Sequence, residues 1–151
     1  MVETDLAVVP QVQVVELGEA DPRWSTALPV LQELRPHLTA NLLSQVLAEG
    51  SAQGLRFTAL FVGADCVAVA GWRVNANTSA IRKLHVDDLV TAAEHRSYGY
   101  GARLLDELVA QARKMGCTRI DLDSGVQRFA AHRFYLRERL DIVGHHFSRD
   151  V

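Results

Sequence analysis

Arg96-Ser97-Tyr98-Gly99-Tyr100-Gly101-Ala102 stands between a valine-rich, strand-like run and the most strongly amphipathic stretch of the chain. In that stretch Gly101, Leu104, Leu105, Leu108, Ala112 and Met115 recur at helical spacing. Arg103, Asp106, Glu107, Arg113 and Lys114 take the wet side, and Gly116 is placed to stop the helix. Glycines let backbone amides approach a phosphate with no Cβ in the way. The first N–H groups of a helix have no internal partner and carry partial positive charge, so a pyrophosphate sits well there, and Arg96 adds a full charge beside it. Two other readings share the spacing: a glycine-rich helix entry that binds nothing, and a dinucleotide-binding turn. The second draws on Asp121, about 20 residues beyond Gly101, where that fold needs an acid for the ribose. Against it, Leu104 holds the third glycine position, and a long loop separates the strand end at Thr91 from Gly99 where a tight turn is required.

Outward from this loop, the chain alternates strand-like and helix-like segments. Val12, Val14 and Leu17 suggest a first strand, and Asp21-Pro22 a helix start with the aspartate as cap. Trp24, Leu28, Leu31 and Leu34 give that helix an apolar face, ended or broken at Pro36. Thr39 is placed to cap a second helix carrying Leu42, Leu43, Val46 and Leu47 and closed by Gly50. Residues 57–63 and 66–74 read as a hairpin turning at Gly63-Ala64-Asp65, with 81–91 as the third strand of a meander. After the long helix come a short strand at 119–124, a helix at 128–139 and a last strand at 142–148. The expected order is β-α-α-β-β-β-α-β-α-β, an α+β fold with a mixed, mostly antiparallel sheet and helices on both faces.

The 151 residues fit one domain, 1–151, with 1–10 loose; 48% are apolar and 23% charged, as in globular proteins. A net charge of −2 gives no electrostatic footprint for nucleic acid. No apolar run reaches the ~18 residues of a membrane span, and the start lacks a basic region followed by an apolar core. Cys66 and Cys117 are isolated, which suits a reducing compartment and argues against a zinc knuckle. A cytoplasmic location is the expectation. No metal site is implied: His145 and His146, adjacent on an expected strand, point oppositely and cannot chelate one ion together, while His37 and His95 read as surface residues.

Arg96, Gly99 and Gly101 match the Gln/Arg-x-x-Gly-x-Gly/Ala loop of the GNAT superfamily, which the chain resembles. Asp88-Leu89-Val90-Thr91 is similar to that family's fourth strand, and Ala131-His132-Arg133-Phe134-Tyr135 to its last helix. The likeness is good over 55–147; before that it rests on element order alone. It implies an N-acetyltransferase with acetyl-CoA as co-substrate, whose diphosphate is held by Arg96, Ser97, Tyr98, Gly99, Tyr100, Gly101 and Ala102. It further implies that the pantetheine arm lies along backbone groups of Leu89, Val90 and Thr91, and that a main-chain amide near Leu89 faces the oxyanion.

Acetyl transfer to an amine needs a base for the ammonium, a donor for the oxyanion and an acid for the departing thiolate. By the resemblance Tyr135 is the acid; packing beside Phe134 is its structural alternative. A phenol with pKa about 10 protonates a thiolate of about 8.5 uphill unless the site lowers the phenol. For the base, His85-Val86-Asp87-Asp88 offers candidates. Strand alternation sets His85, Asp87, Leu89 and Thr91 on one face and Leu84, Val86, Asp88 and Val90 on the other. Asp88 amid apolar neighbours would be raised toward a useful base value, which puts it first. Asp87 and His85 follow, and a distortion of the strand would bring both aspartates toward substrate.

Departures from the family lie at Arg128, where asparagine is common, and at Arg139-Leu140, where glycine and an aromatic are usual. A non-glycine residue in a left-handed cap costs about 1 kcal/mol, so a different turn is expected there. The C-terminal stretch is similar to small-molecule members, including aminoalkylphosphonate N-acetyltransferases. Arg128 and Arg133 could hold an anionic group of such a substrate, with His85 and His132 as further contacts, or these residues are solvated or packed. The resulting expectation is a small primary amine as acceptor, with a second subunit of a homodimer able to complete the pocket. Acetylation of a protein N-terminus or lysine, and a non-catalytic acetyl-CoA sensor, are the alternatives.

Overall fold

Residues 11–151 are described by a computed structural model; the expectation for residues 1–10 lies outside them. Five strands form one sheet in the order β1-β2-β3-β4-β5. They are β1 (Val12–Glu16), β2 (Arg56–Val62), β3 (Asp65–Asn77), β4 (Ile81–Thr91) and β5 (Arg119–Leu122). The first four run antiparallel to their neighbours and β5 lies parallel to β4. A meander of this kind is an α+β fold and removes the dinucleotide-binding reading, which needs a parallel sheet.

Helices cover both faces. On one, α1 (Trp24–Leu34) and α2 (Ala40–Ala52) pack Trp24, Ala27, Val30, Leu31, Leu43 and Leu47 against Val15, Phe57, Phe61, Val69 and Val90. On the other, α3 (Tyr100–Lys114) lays Leu104, Leu108 and Ala112 on Leu60, Ala68, Ala70, Trp72, Leu84, Val86 and Leu89. Phe134 and Tyr135 of α4 (Phe129–Arg137) join this second layer. Burial pushes the Cys66 thiol in the first layer up to about 12, so it stays an unreactive core residue.

Local chemistry accounts for most element ends. Thr39 caps α2 by accepting from the Leu42 N–H at 3.1 Å. Gly50 does not close that helix as expected; it lies inside it, where a Cβ would come within 2.6 Å of Leu55. Asp21 is not the cap of α1: its carboxylate accepts from the Arg23 N–H and side chain, and the helix begins at Trp24. Gly116, at φ 72°, stops α3 where the pattern placed the stop.

At the end of α4 the expected departure does not occur. Arg139 adopts φ 66°, its N–H bonds Leu136 O at 3.1 Å, and the Leu140 N–H bonds Tyr135 O at 2.9 Å. That is the usual glycine-type helix stop, built with arginine at a strain of about 1 kcal/mol.

The strand expected at 142–148 is not formed. Ile142, Val143 and Phe147 are exposed by 75%, 84% and 90%. Strand propensity needs a neighbouring edge to express itself, and this segment does not join the sheet.

Thr58 is a buried polar residue whose Oγ1 accepts from Trp72 Nε1 at 2.9 Å, and Trp72 is 1% exposed. Thr58→Val strands that indole N–H in the core and should lower stability by about 1–3 kcal/mol in urea unfolding. A loss below about 0.5 kcal/mol would show that the indole does not depend on this acceptor.

Candidate active site

The site begins with one extra residue in β4. Gly71 pairs with Asp88 and the next residue, Trp72, pairs with Val86, so Asp87 is left over as a bulge. The bulge overturns the expected alternation. Leu84 and Val86 face the α3 layer, and beyond the bulge Leu89 joins them there, while Val90 turns to the α1 layer.

Both aspartates consequently face the α1–α2 side, each beside an arginine. Arg35, at the C-terminal end of α1, donates from Nε to Asp88 Oδ1 at 2.8 Å and from Nη2 to the Asp87 carbonyl at 3.2 Å. Arg73 Nε donates to Asp87 Oδ2 at 2.9 Å. The apolar surroundings foreseen for Asp88 are therefore replaced by an ion pair. Asp88 also lies against Gly71, where a Cβ would stand 3.3 Å from Oδ2 and 2.8 Å from the Phe57 ring.

The bulge also ends the sheet's pairing. β4 and β5 are joined from Lys83↔Arg119 to Val86↔Leu122 and part beyond that point. From Asp87 to Thr91 the edge of β4 that faces away from β3 has no strand partner. A cavity of about 420 Å³ opens here, lined by Glu33, Leu34 and Arg35 from α1, by Val90 and Arg96, and by Asp123, Gly125, Gln127 and Arg128. Among the described residues Ser124 Oγ, two positions beyond the end of β5, is buried with no hydrogen-bond partner. A buried hydroxyl left unsatisfied costs free energy that a ligand's polar group would recover.

The N-terminal end of α3 lies beside the free part of β4, with Gly101 next to Thr91. Its cap, Gly99, is at φ 79° and no side chain caps the helix. Ser97 is also left-handed, at φ 69°. A Cβ on Gly101 would lie 3.2 Å from Thr91 Oγ1 and 3.4 Å from the Phe134 ring, so glycine lets the helix start sit close to β4 and α4. Arg96 reaches the cavity, while Tyr98 is exposed and stacks on Tyr100 with ring centroids 6.1 Å apart. A cradle of free amides, a cation and an unpaired strand edge fits an extended diphosphate-bearing ligand.

Tyr135 is half-buried beside Phe134, with ring centroids 5.4 Å apart. Burial pushes its phenol above the ordinary value of 10, against an opposing pull from the Arg128 guanidinium. The lowering that would ease proton delivery is thus not provided by its surroundings. His132 donates from Nε2 to the Gly125 carbonyl at 2.8 Å and so fastens the 123–128 loop.

His85 lies on the α1–α2 side with Asp87. Its Nδ1 is 2.7 Å from Asp121 Oδ1, and Lys83 Nζ is 2.6 Å from Asp121 Oδ2. Partial burial raises the Asp121 carboxyl, but the hydrogen bonds from Lys83 and His85 outweigh this and hold it below its ordinary 3.8. The spacing that singled out Asp121 for a ribose thus finds the residue in an internal network. Nothing in the sequence near Arg35, Arg73 or Ser124 marked them, since each meets the site only through the sheet or a distant helix end.

This fold and fork define an acyl-transfer enzyme of the N-acetyltransferase class. The model of the acetyltransferase (GNAT) family matches residues 23–140, and the chain belongs to that family. Over 113 residues it is 36% identical to the uncharacterized N-acetyltransferase YhdJ of Bacillus subtilis (strain 168), covering 74% of this chain and 80% of the relative. The fold is shared with the aminoglycoside N-acetyltransferase AAC(6')-Iy, solved with CoA, at 10% identity and a TM-score of 0.79, covering 93% of this chain and 95% of that one. It is equally shared with a ribosomal-protein-alanine N-acetyltransferase of Brucella melitensis biovar Abortus 2308, at 15% identity, TM-score 0.78, and 93% and 100% coverage.

The depressed Asp121 carboxyl carries a sign. A carboxyl whose folded pKa lies below its unfolded one stabilises the fold above about 3.8 and loses that contribution as pH falls through the folded value. In urea unfolding, the stability gap between the native protein and Asp121→Asn should be present at neutral pH and narrow as pH is lowered below about 3.8. A gap that does not change over that range would show that the carboxylate's charge contributes nothing to stability.

Proposed function

We propose that the chain transfers an acetyl group from acetyl-CoA to the primary amine of a small molecule. The observation that carries this reading is the fork between β4 and β5, with the uncapped start of α3 facing it. The amides of Gly99, Tyr100, Gly101 and Ala102, with Arg96, Ser97 and Tyr98, would hold the diphosphate. The free edge at Leu89, Val90 and Thr91 would pair with the pantetheine arm in place of a further strand.

Bound there, acetyl-CoA supplies an activated thioester, and the overall change turns an ammonium and a thioester into an amide, a thiol and one proton. A main-chain amide near Leu89 donates to the developing oxyanion. Tyr135 delivers a proton to the sulfur; its raised pKa keeps the phenol protonated, and the expelled thiolate must be held in a dry, short-lived state to take that proton. The base belongs to the ledge of β4 that carries His85, Asp87 and Asp88.

The open cavity of about 420 Å³ between the end of α1 and the 123–128 loop leaves room for a small acceptor beside the pantetheine end. Arg128 on its wall is placed to meet an anionic group of that acceptor.

Free-thiol release from acetyl-CoA, measured with benzylamine, spermidine, glucosamine and a ribosomal-type N-terminal peptide, tests the reading. Release with a small amine supports it. Release with the peptide alone makes the chain a protein acetyltransferase, and binding of acetyl-CoA with no amine-dependent release makes it a sensor.

Tyr135→Phe should lower kcat by about 10²–10⁴-fold with acetyl-CoA affinity nearly intact, since the hydroxyl acts in the transition state. Unchanged turnover removes Tyr135 from the mechanism. Gly99→Val forces a branched residue into φ 79°, a conformation costing about 1–2 kcal/mol, although its Cβ would meet nothing within 4 Å. The loop should shift and calorimetric affinity for acetyl-CoA should fall; wild-type affinity would count against the cradle.

A further inference from the structure

We propose that His85 accepts the proton of the incoming amine, and that Asp121 is the positioning residue that holds its imidazole in the working tautomer. This assignment rests on the acetyl-transfer reading above and names the base which that reading leaves open.

His85 stands at the closed end of the fork. His85↔Asp121 and Val86↔Leu122 are the last paired registers before β4 and β5 separate. Its Nε2 lies 4.0 Å from Asp123 Oδ2, and Asp123 lines the cavity. The ring therefore lies between Asp121 of the sheet on its Nδ1 side and the cavity-lining Asp123 on its Nε2 side.

The partners decide the tautomer. Asp121 receives Lys83 Nζ on one oxygen at 2.6 Å and faces His85 Nδ1 with the other at 2.7 Å. An ionised carboxylate can only accept, so Nδ1 must carry the hydrogen. In the neutral ring the lone pair then resides on Nε2, toward the cleft. This is the logic by which a carboxylate orients a working imidazole in hydrolases of unrelated folds.

The neighbouring carboxylates are less suited to the task. Asp88 is held by Arg35 at 2.7 Å and Asp87 by Arg73 at 2.9 Å, so protonating either would break an ion pair. Around His85, β3 contributes Arg73, β4 contributes Lys83 and Asp87, and β5 and the following loop contribute Asp121 and Asp123. His146 approaches Asp123 from the C-terminal segment at 3.3 Å. The cations Arg73 and Lys83 are both occupied by carboxylates. Proton transfer therefore creates an imidazolium lying between Asp121 and Asp123, which stabilise it.

Asp123, more than half exposed, is placed to draw in the acceptor's ammonium. One N–H bond of that ammonium breaks, its electron pair stays on nitrogen as the nucleophile, and the proton passes to Nε2 directly or through one water. The attacking nitrogen then carries one proton more than the amide keeps; it is lost as the carbon–sulfur bond breaks and restores the Tyr135 phenol that protonated the sulfur, while the imidazolium returns its own proton to solvent.

The test uses the full chain with benzylamine, spermidine and glucosamine as acceptors. His85→Gln should lower kcat/KM for the amine by about 10²–10⁴-fold, abolish the acidic limb of the pH profile, and leave acetyl-CoA affinity within about twofold. Asp121→Asn should cost about 10–100-fold and move that limb to lower pH, because the imidazolium loses its counter-charge. Nitrogen-15 NMR of the imidazoles gives a readout independent of activity: His85 should carry its hydrogen on Nδ1 in the native protein and lose that preference in Asp121→Asn.

An acidic limb that persists in His85→Gln and vanishes in Asp88→Asn would overturn the proposal while leaving acetyl transfer standing, and so would an Nε2–H tautomer in the native protein. A native protein that releases no thiol with any of the amines would overturn the acetyl-transfer reading, and this assignment with it.

Discussion

One surplus residue in β4 governs the site. With Asp87 unpaired between Val86 and Asp88, the strand bends and its pairing with β5 ends at Leu122. A parallel pair can be parted only where something interrupts the ladder, because each lost backbone hydrogen bond must find another partner or water. The interruption here lies over Gly71, a residue with no side chain to fill the space taken by Phe57 and Asp88. A fork results, with an unpaired strand edge on one side and a helix N-terminus pointing into it.

The same bulge sorts the chemistry onto two faces. Leu89 stays with the apolar layer under α3, while His85, Asp87 and Asp88 look toward α1 and α2. The loop ahead of α3 and Tyr135 belong to the α3 side. Arg35 and Arg73 hold the aspartates where they stand, while His85 lies between Asp121 and Asp123. Two buried apolar layers of ordinary composition provide the rigidity this arrangement needs, and Trp72, hydrogen-bonded to Thr58, anchors the strand opposite the bulge.

Much of this was legible in the residues. Periodicity located every helix and the first five strands, because burying an apolar stripe is a local pattern with a local period. The glycine loop was legible because positive φ and close approach leave a chemical mark: Gly99 and Gly101 are small for physical reasons that no other residue meets. Other features were illegible for equally physical reasons. A bulge leaves no sign in composition, so alternation carried through it put Asp88 among apolar residues and Leu89 beside His85. The tail at 142–148 has strand-forming residues, yet a strand exists only where another offers its edge. Arg139 takes the left-handed turn that glycine usually takes, since the hydrogen bonds from Arg139 and Leu140 to the end of α4 outweigh its strain.

The sequence alone therefore determined the element order as far as α4, the two-faced α+β architecture, the glycine loop ahead of α3 and the set of residues from which an acid and a base could be drawn. Tertiary structure alone decided how those residues are partnered. Arg35 meets Asp88 across 53 positions of chain and His85 meets Asp121 across 36. Whether a carboxylate is tied to a cation or an imidazole is oriented depends on which strands lie side by side and where their pairing stops. Those are properties of the folded sheet, and no local stretch of sequence contains them.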